Sequence, residues 1–426
     1  MRLLGVLAAA VLLPVTVQAS ETGELLASHL YAGSIGAGQA ALAAGKDAGE
    51  PEACFGWAML GLAGALEGLA QDFYRYGGTA PDTPAAAMLL GIGEAEPPVV
   101  LNPAPEALRY PALRAVLADF RSDLAAAQAA FVCGGADGAD YVLPIDLLKA
   151  RLDFNGDGTT APEETLATVL LPLLGQDFVP DTAIAPMGKT KRKGPPVQDG
   201  TLGFDPADAI WLAGYTKLVG AQLDWLMAHD FEDFFNAYLH RVFPQAGLPM
   251  QGMDGVGSLV MDPDSDASIA DIIAGIHTLN FPVIDKALLA SIPDQLKQVT
   301  ALSRRNWELI LAETDDDREV IPNPDQTSLL DGMPVTAAGV AAWRETLDVL
   351  DQIIDGQLLI PHWRFAQGFD LKAYFDSAER TDLVMLLAGQ DALPFLKDGP
   401  IADAESFAAG NAAFGDAFPN YAFWFN

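Results

Sequence analysis

Basic residues are scarce in this chain: 24 Lys and Arg stand against 57 Asp and Glu in 426 residues, a formal net charge of -33. A charge of that sign and size argues against nucleic acid and anionic membrane surfaces as partners, and it favours solubility and counter-cations. Cysteine is scarcer still, with only Cys54 and Cys133. Histidine occurs five times, at His29, His229, His240, His277 and His362, none of them in an HExxH pattern. GxSxG and P-loop motifs are also missing. No repeat of fixed period is visible, which excludes a solenoid.

Long apolar runs are confined to the N-terminus. Met1 and Arg2 precede an unbroken apolar stretch from Leu3 to Leu13, Pro14 interrupts it, and Val17-Gln18-Ala19 before Ser20 has the small-residue pattern of a signal-peptidase site. Eleven residues make a helix of roughly 16 Å, about half of a bilayer's hydrocarbon core, so the run reads as a cleaved signal peptide and not as an anchor. The mature chain is then expected to begin at Ser20, in the periplasm or outside the cell, with no membrane association. No later segment is expected to reach the ~18 apolar residues that span a bilayer. In that oxidising setting a disulfide between Cys54 and Cys133 is the economical expectation.

Leu25 to Ala44 and Phe55 to Tyr76, rich in Ala and Leu with scattered Gly, read as packed helices. Seven prolines between Gly77 and Pro111 rule out a continuous helix there, and helical pattern resumes from Leu113 to about Phe131. Trp211, Tyr215, Leu218 and Trp225 recur at helical offsets, and Val340, Trp343, Leu347, Leu350 and Ile354 repeat the spacing with Thr336 placed to cap. These stripes read as core. Alternating patterns are few, the best being Val99-Val100-Leu101 and Leu358-Leu359-Ile360. The fold class expected is therefore mainly α, with large helical domains and little β. The division expected is a signal peptide over 1-19, an N-terminal helical region over 20-142 with a Pro-rich insert at 77-111, a metal-binding module over 143-174, a loop over 175-205 and a C-terminal helical domain over 206-426.

One motif carries a mechanism. Asp153, Asn155 and Asp157 alternate so that three side-chain oxygens face one centre, Gly158 permits the sharp turn after them, Thr159 offers its backbone carbonyl, and Glu164 closes the sphere with two carboxylate oxygens. A hard cation with six to eight oxygen ligands needs such a wrap. Ala161 brings no side-chain oxygen, so a water is expected in that place. Ile145 to Leu152 suits an entering helix, and Pro162, Glu163, Leu166, Val169, Leu170 and Leu173 suit an exiting one. Over residues 143-174 the chain resembles the EF-hand family, which implies a helix-loop-helix and bound Ca2+. Thr160 departs from that family, whose aliphatic residue at this position pairs two loops, so pairing is not expected. Asp262 to Asp266 resembles a second loop, but Ala267 stands where glycine is needed and Ile273 where the bidentate Glu should be; Asp266 or Ser268 reads as an N-cap.

Trp211 to Tyr215, Ala312 to Glu319 and Pro361 to Phe365 are similar to segments of uncharacterised exported bacterial proteins, which implies a large helical domain and no particular activity. Lys189 to Lys193, the basic run, reads as a solvated loop. His229, Glu232, Asp233 and His240 sit close enough in sequence to be weighed as a transition-metal set, with structural placement preferred. The densest acids, Glu313, Asp315, Asp316, Asp317 and Glu319, are expected to neutralise Arg304, Arg305 and Arg318. No pair of carboxylates is singled out for catalysis. The functional expectation is an exported calcium-binding protein in which calcium is structural and the rest serves as a scaffold or binds a protein or small-molecule partner. A periplasmic hydrolase-like enzyme with an unlocated site is the alternative.

Overall fold

Local signals set the helix ends in the N-terminal half. In the computed structural model, which describes residues 20-79, 101-168, 200-250, 267-329 and 333-425, α1 (Glu21–Ala32) starts where Ser20 Oγ accepts from Gly23 N and stops at Gly33, whose φ is 65°. The expected continuous pattern from Leu25 to Ala44 is thus broken, and α2 (Ile35–Ala48) follows. Proline opens α3 (Pro51–Arg75), where its missing N–H costs nothing. Then comes α4 (Tyr110–Gly134), tied to α3 by the Cys54–Cys133 disulfide.

Helix α5 (Pro206–Met227) begins at a capping box, with Asp205 accepting from Ala207 N and Asp208 N while Asp208 accepts from Asp205 N. It lies between α4 and the long α8 (Lys286–Ile310), which follows α6 (Glu232–Tyr238) and α7 (Ala267–Thr278). As the sequence predicts, Thr336 caps α9 (Ala337–Ile354) by accepting from Gly339 N. Four short helices complete the chain: α10 (Leu371–Ser377), α11 (Leu383–Ala388), α12 (Ala408–Phe414) and α13 (Phe418–Phe425). The fold is mainly α, and its strands are short antiparallel pairs. In the first, β1 (Leu143–Asp146) and β2 (Thr201–Phe204) pair with Leu143 opposite Phe204. Neither expected strand forms where Leu101 and Leu358 to Ile360 lie, though Leu359 and Ile360 make single bridges. Val99 and Val100, the basic run at 189-193 and the second acidic loop at 262-266 lie outside the described residues.

The first apolar core runs from Leu26 on α1 through Phe55 and Leu60 on α3, Phe131 on α4 and Ile145 on β1 to Ala213 on α5. Phe55 holds its centre, with ring centroids 5.8 Å from Phe131 and 5.7 Å from Phe204. Helix α3 corrects one expectation. By length and composition it could cross a membrane, but a face carrying Cys54, Phe55, Ala58, Leu60 and Ala65 is buried against its neighbours. A separate core gathers Trp307, Trp343, Tyr421, Trp424 and Phe425 around the ends of α8, α9 and α13.

Candidate metal centre

The acidic loop at 153-164 is wrapped by its own backbone. Asp153 takes Gly156 N on Oδ1 and Gly158 N on Oδ2, each at 2.8 Å, and Asn155 Oδ1 takes Asp157 N at 2.8 Å. Asp157 Oδ1 accepts from both Thr159 N and Thr159 Oγ1, bonds that hold its carboxyl below the usual range. Two left-handed turns, at Gly156 (φ 72°) and Gly158 (φ 83°), make the reversal possible, and a side chain is disfavoured at both. Glu164 returns to the loop with Oε2 accepting from Ala161 N at 2.7 Å. Its other oxygen, Oε1, is buried without a hydrogen-bond partner in a side chain only 3 % exposed. An unpartnered carboxylate oxygen at such depth is costly unless something else satisfies it.

Before this loop the expected entering helix is not what the chain builds. Residues 145-152 form the end of β1, a short 3-10 turn (Leu147–Lys149) and an extended stretch, because Pro144 cannot donate and Leu143 and Ile145 bury one face of a paired strand. Residues 166-168 begin a helical turn after Glu164, and Val169, Leu170 and Leu173 lie outside the described residues. A bridge between Arg151 and Thr165 closes the loop's two ends.

The loop docks on the N-terminal helices. Glu67 Oε2 accepts from Asp153 N at 2.8 Å, Gln71 Nε2 donates to the Asp153 carbonyl at 2.8 Å, and Arg151 N donates to the Leu30 carbonyl. Burial, with Asp153 and Glu164 nearby, raises the Glu67 carboxyl. Thr160, the residue that departs from the EF-hand pattern, sends Oγ1 toward the Ala32 carbonyl at 3.4 Å, at the end of α1. It lies against Gly33, where an added Cβ would fall 2.3 Å from Thr160 Cγ2. Gly33→Ala therefore meets both a clash and a left-handed φ. We expect a loss of about 1 to 2 kcal/mol from the backbone alone, read by thermal unfolding.

A second acidic cluster emerges only in three dimensions. Asp205, Glu313 and Glu319 bring carboxylate oxygens within 4.8 Å of one another, the one such group of three among the described residues. Asp208, itself buried, completes it from the first turn of α5. Burial and mutual repulsion raise all four carboxyls: Asp208 well above its ordinary value, Glu313 to about 9 and Glu319 to about 7. Asp205 and Glu313 share a hydrogen bond, so this cluster retains protons. The expected neutralisation by arginine is corrected for two of the three cations. Arg304 pairs with Asp348 and Asp351, and Arg305 with Asp137 and Glu308. Arg318, at φ 67°, donates from Nε to the Thr201 carbonyl. The acid run at 313-319 is dense in the sequence, but nothing near it points to its partners, which stand more than a hundred residues earlier at a helix cap.

The histidine set does not assemble. His229 bonds the Trp225 carbonyl through Nδ1 and Thr381 Oγ1 through Nε2, in the core, while His240 Nε2 meets Asp271. Compared with protein-family models, curated proteins and solved structures, the chain matches none.

Proposed function

We propose that the chain is an exported calcium-binding protein whose loop at Asp153, Asn155, Asp157, Thr159 and Glu164 holds a structural Ca2+. The observation that carries this reading is the buried, unpartnered Oε1 of Glu164, in a loop where Asp153 and Asp157 accept from backbone N–H groups; the carboxylate oxygens of Asp153, Asp157 and Glu164 do not lie within 4.8 Å of one another, so an ion would have to draw them in. A calcium ion would satisfy that oxygen and fasten the loop to α1 and α3, through the contacts of Thr160, Glu67 and Gln71. Three liganding carboxylates, from Asp153, Asp157 and Glu164, give modest affinity. With the Kd of about 10⁻⁴ to 10⁻³ M typical of extracellular modules, roughly 1 mM calcium adds only about 0.4 to 1.4 kcal/mol. Calcium is then a stabiliser of a helical scaffold, and no large conformational change accompanies it.

The expected result is a calcium-dependent rise in melting temperature that Glu164→Gln abolishes, since the substitution removes a bidentate ligand and keeps size and helix propensity. Scanning calorimetry with calcium and with chelator decides it. A full response in the variant places the ion elsewhere, and no response in the native protein reduces the motif to a turn. The enzyme reading keeps one specific support, the Glu319 carboxyl at about 7 within a buried acid cluster, the setting in which general acids and bases are found.

A further inference from the structure

A cavity of about 950 Å³ opens between α5, α8, α9 and the C-terminal segment that carries α12 and α13. That lies at the upper end of the range of small-molecule sites, about 300 to 1,000 Å³. Its depth is apolar: Val299 from α8, and Trp343, Leu347, Ile353 and Ile354 from α9, all buried, with Leu218 of α5 closing one side. Its mouth is formed by Pro361, Asp403, Ala404 and Asn411, which are exposed.

The polar atoms along this wall are already engaged. Thr300 Oγ1 donates to Asp351 Oδ1 at 2.6 Å, and Trp343 Nε1 donates to Ser303 Oγ at 2.9 Å. At the mouth, Asp403 Oδ1 accepts from Ser406 N and Oγ, bonds that lower its carboxyl below the ordinary value, and Asn411 Nδ2 reaches the Ala404 carbonyl at 3.4 Å. Among the described residues no lysine, arginine or histidine lines the cavity. An anionic head would therefore find a carboxylate and no counter-charge, in a chain of net charge -33. A hydroxyl, by contrast, can donate to Asp403, whose carboxylate has lone pairs to spare.

We infer that this cavity binds a neutral single-chain lipid, with its hydrocarbon chain between α8 and α9 and an uncharged hydroxyl head beside Asp403 and Asn411. The inference is independent of calcium. Depth and shape favour a chain over a compact polar solute, because water in a dry apolar space has nothing to bond.

The test is fluorescence titration of the purified protein with N-phenyl-1-naphthylamine, displaced by 1-alkanols of eight to fourteen carbons and by the matching carboxylates at pH 8. Affinity for the alkanols should rise roughly fourfold per methylene until the cavity is filled. The carboxylates should bind at least tenfold more weakly than alcohols of equal length. Leu350→Trp, which fills the space from α9, should remove dye binding. Ala404→Trp, an exposed substitution that covers the mouth without disturbing the core, should weaken it at least tenfold with an unchanged melting temperature. Three results overturn the proposal: no displaceable dye, as when a segment of the chain itself or a second copy fills the space; carboxylates binding as well as alkanols; or unchanged dye affinity in a folded Ala404→Trp protein.

Discussion

Replacing Cys54 and Cys133 together by alanine lowers the unfolding free energy by about 4 kcal/mol. The bond joins positions 79 residues apart, and closing so long a loop removes about that much chain entropy from the unfolded state in the loop-closure model. Few single features of this fold should matter more, because the disulfide crosses α3 and α4 at the place where Phe55 and Phe131 pack edge to face. Cys54 is almost fully buried, so part of the loss comes from the space its sulfur leaves. Urea unfolding of the variant should give a lower midpoint, and the native protein reduced under the same conditions should match it. Two reactive thiols per chain in unfolded, unreduced protein would show that the bond does not form. A midpoint change worth less than about 1 kcal/mol would mean that the unfolded chain is already held compact.

Stability should also fall as the pH rises from about 5 to 9, against the usual trend for a protein rich in carboxylates. The sign follows from the cluster at the start of α5. Glu319 holds its proton to about 7 and Glu313 to about 9, both above the ordinary value of 4.5, so the folded state binds more protons than the unfolded one across that window. Their contribution is complete below pH 4.5 and is lost as the pH passes through those folded values. Each tenfold gain in proton affinity on folding is worth about 1.4 kcal/mol, so Glu319 alone accounts for about 3 kcal/mol; Glu313 adds to it, though the two share neighbours and their effects do not sum. Glu319→Gln should flatten the curve between pH 5 and 7, and Glu313→Gln should flatten it up to pH 9. Denaturant midpoints measured at half-unit pH intervals test this. If both variants keep the native slope, the retained protons belong to other groups.

The helices were legible because their signals are local. Thr336 and the apolar spacing from Val340 to Ile354 each act within a turn or two of the backbone, and the structure keeps them. The break at Gly33 was harder to read, since glycine inside an alanine-rich stretch is compatible with a continuing helix; its left-handed φ closes α1 locally, and only the fold shows Thr160, more than a hundred residues away in the chain, packed against it. The stretch before Asp153 shows the same limit. Ile145 to Leu152 has a helical composition, yet pairing of β1 with β2 won because it buries Leu143 and Ile145 completely and joins the chain on either side of residues 169-199.

By itself the sequence determined the helical class and the pairing of its only two cysteines, and it carries the spacing of oxygen side chains from Asp153 to Glu164 on which the calcium proposal rests, since each depends on residue type and spacing along the chain. Tertiary structure decided what those residues meet. It set Glu164 Oε1 in a buried place without a partner, drew Glu313 and Glu319 to the cap of α5 and away from Arg304 and Arg305, and left an apolar space between α8 and α9. The reason is physical: burial and long-range charge act through distance in space, and helix periodicity specifies which face turns inward but not which face it will find there.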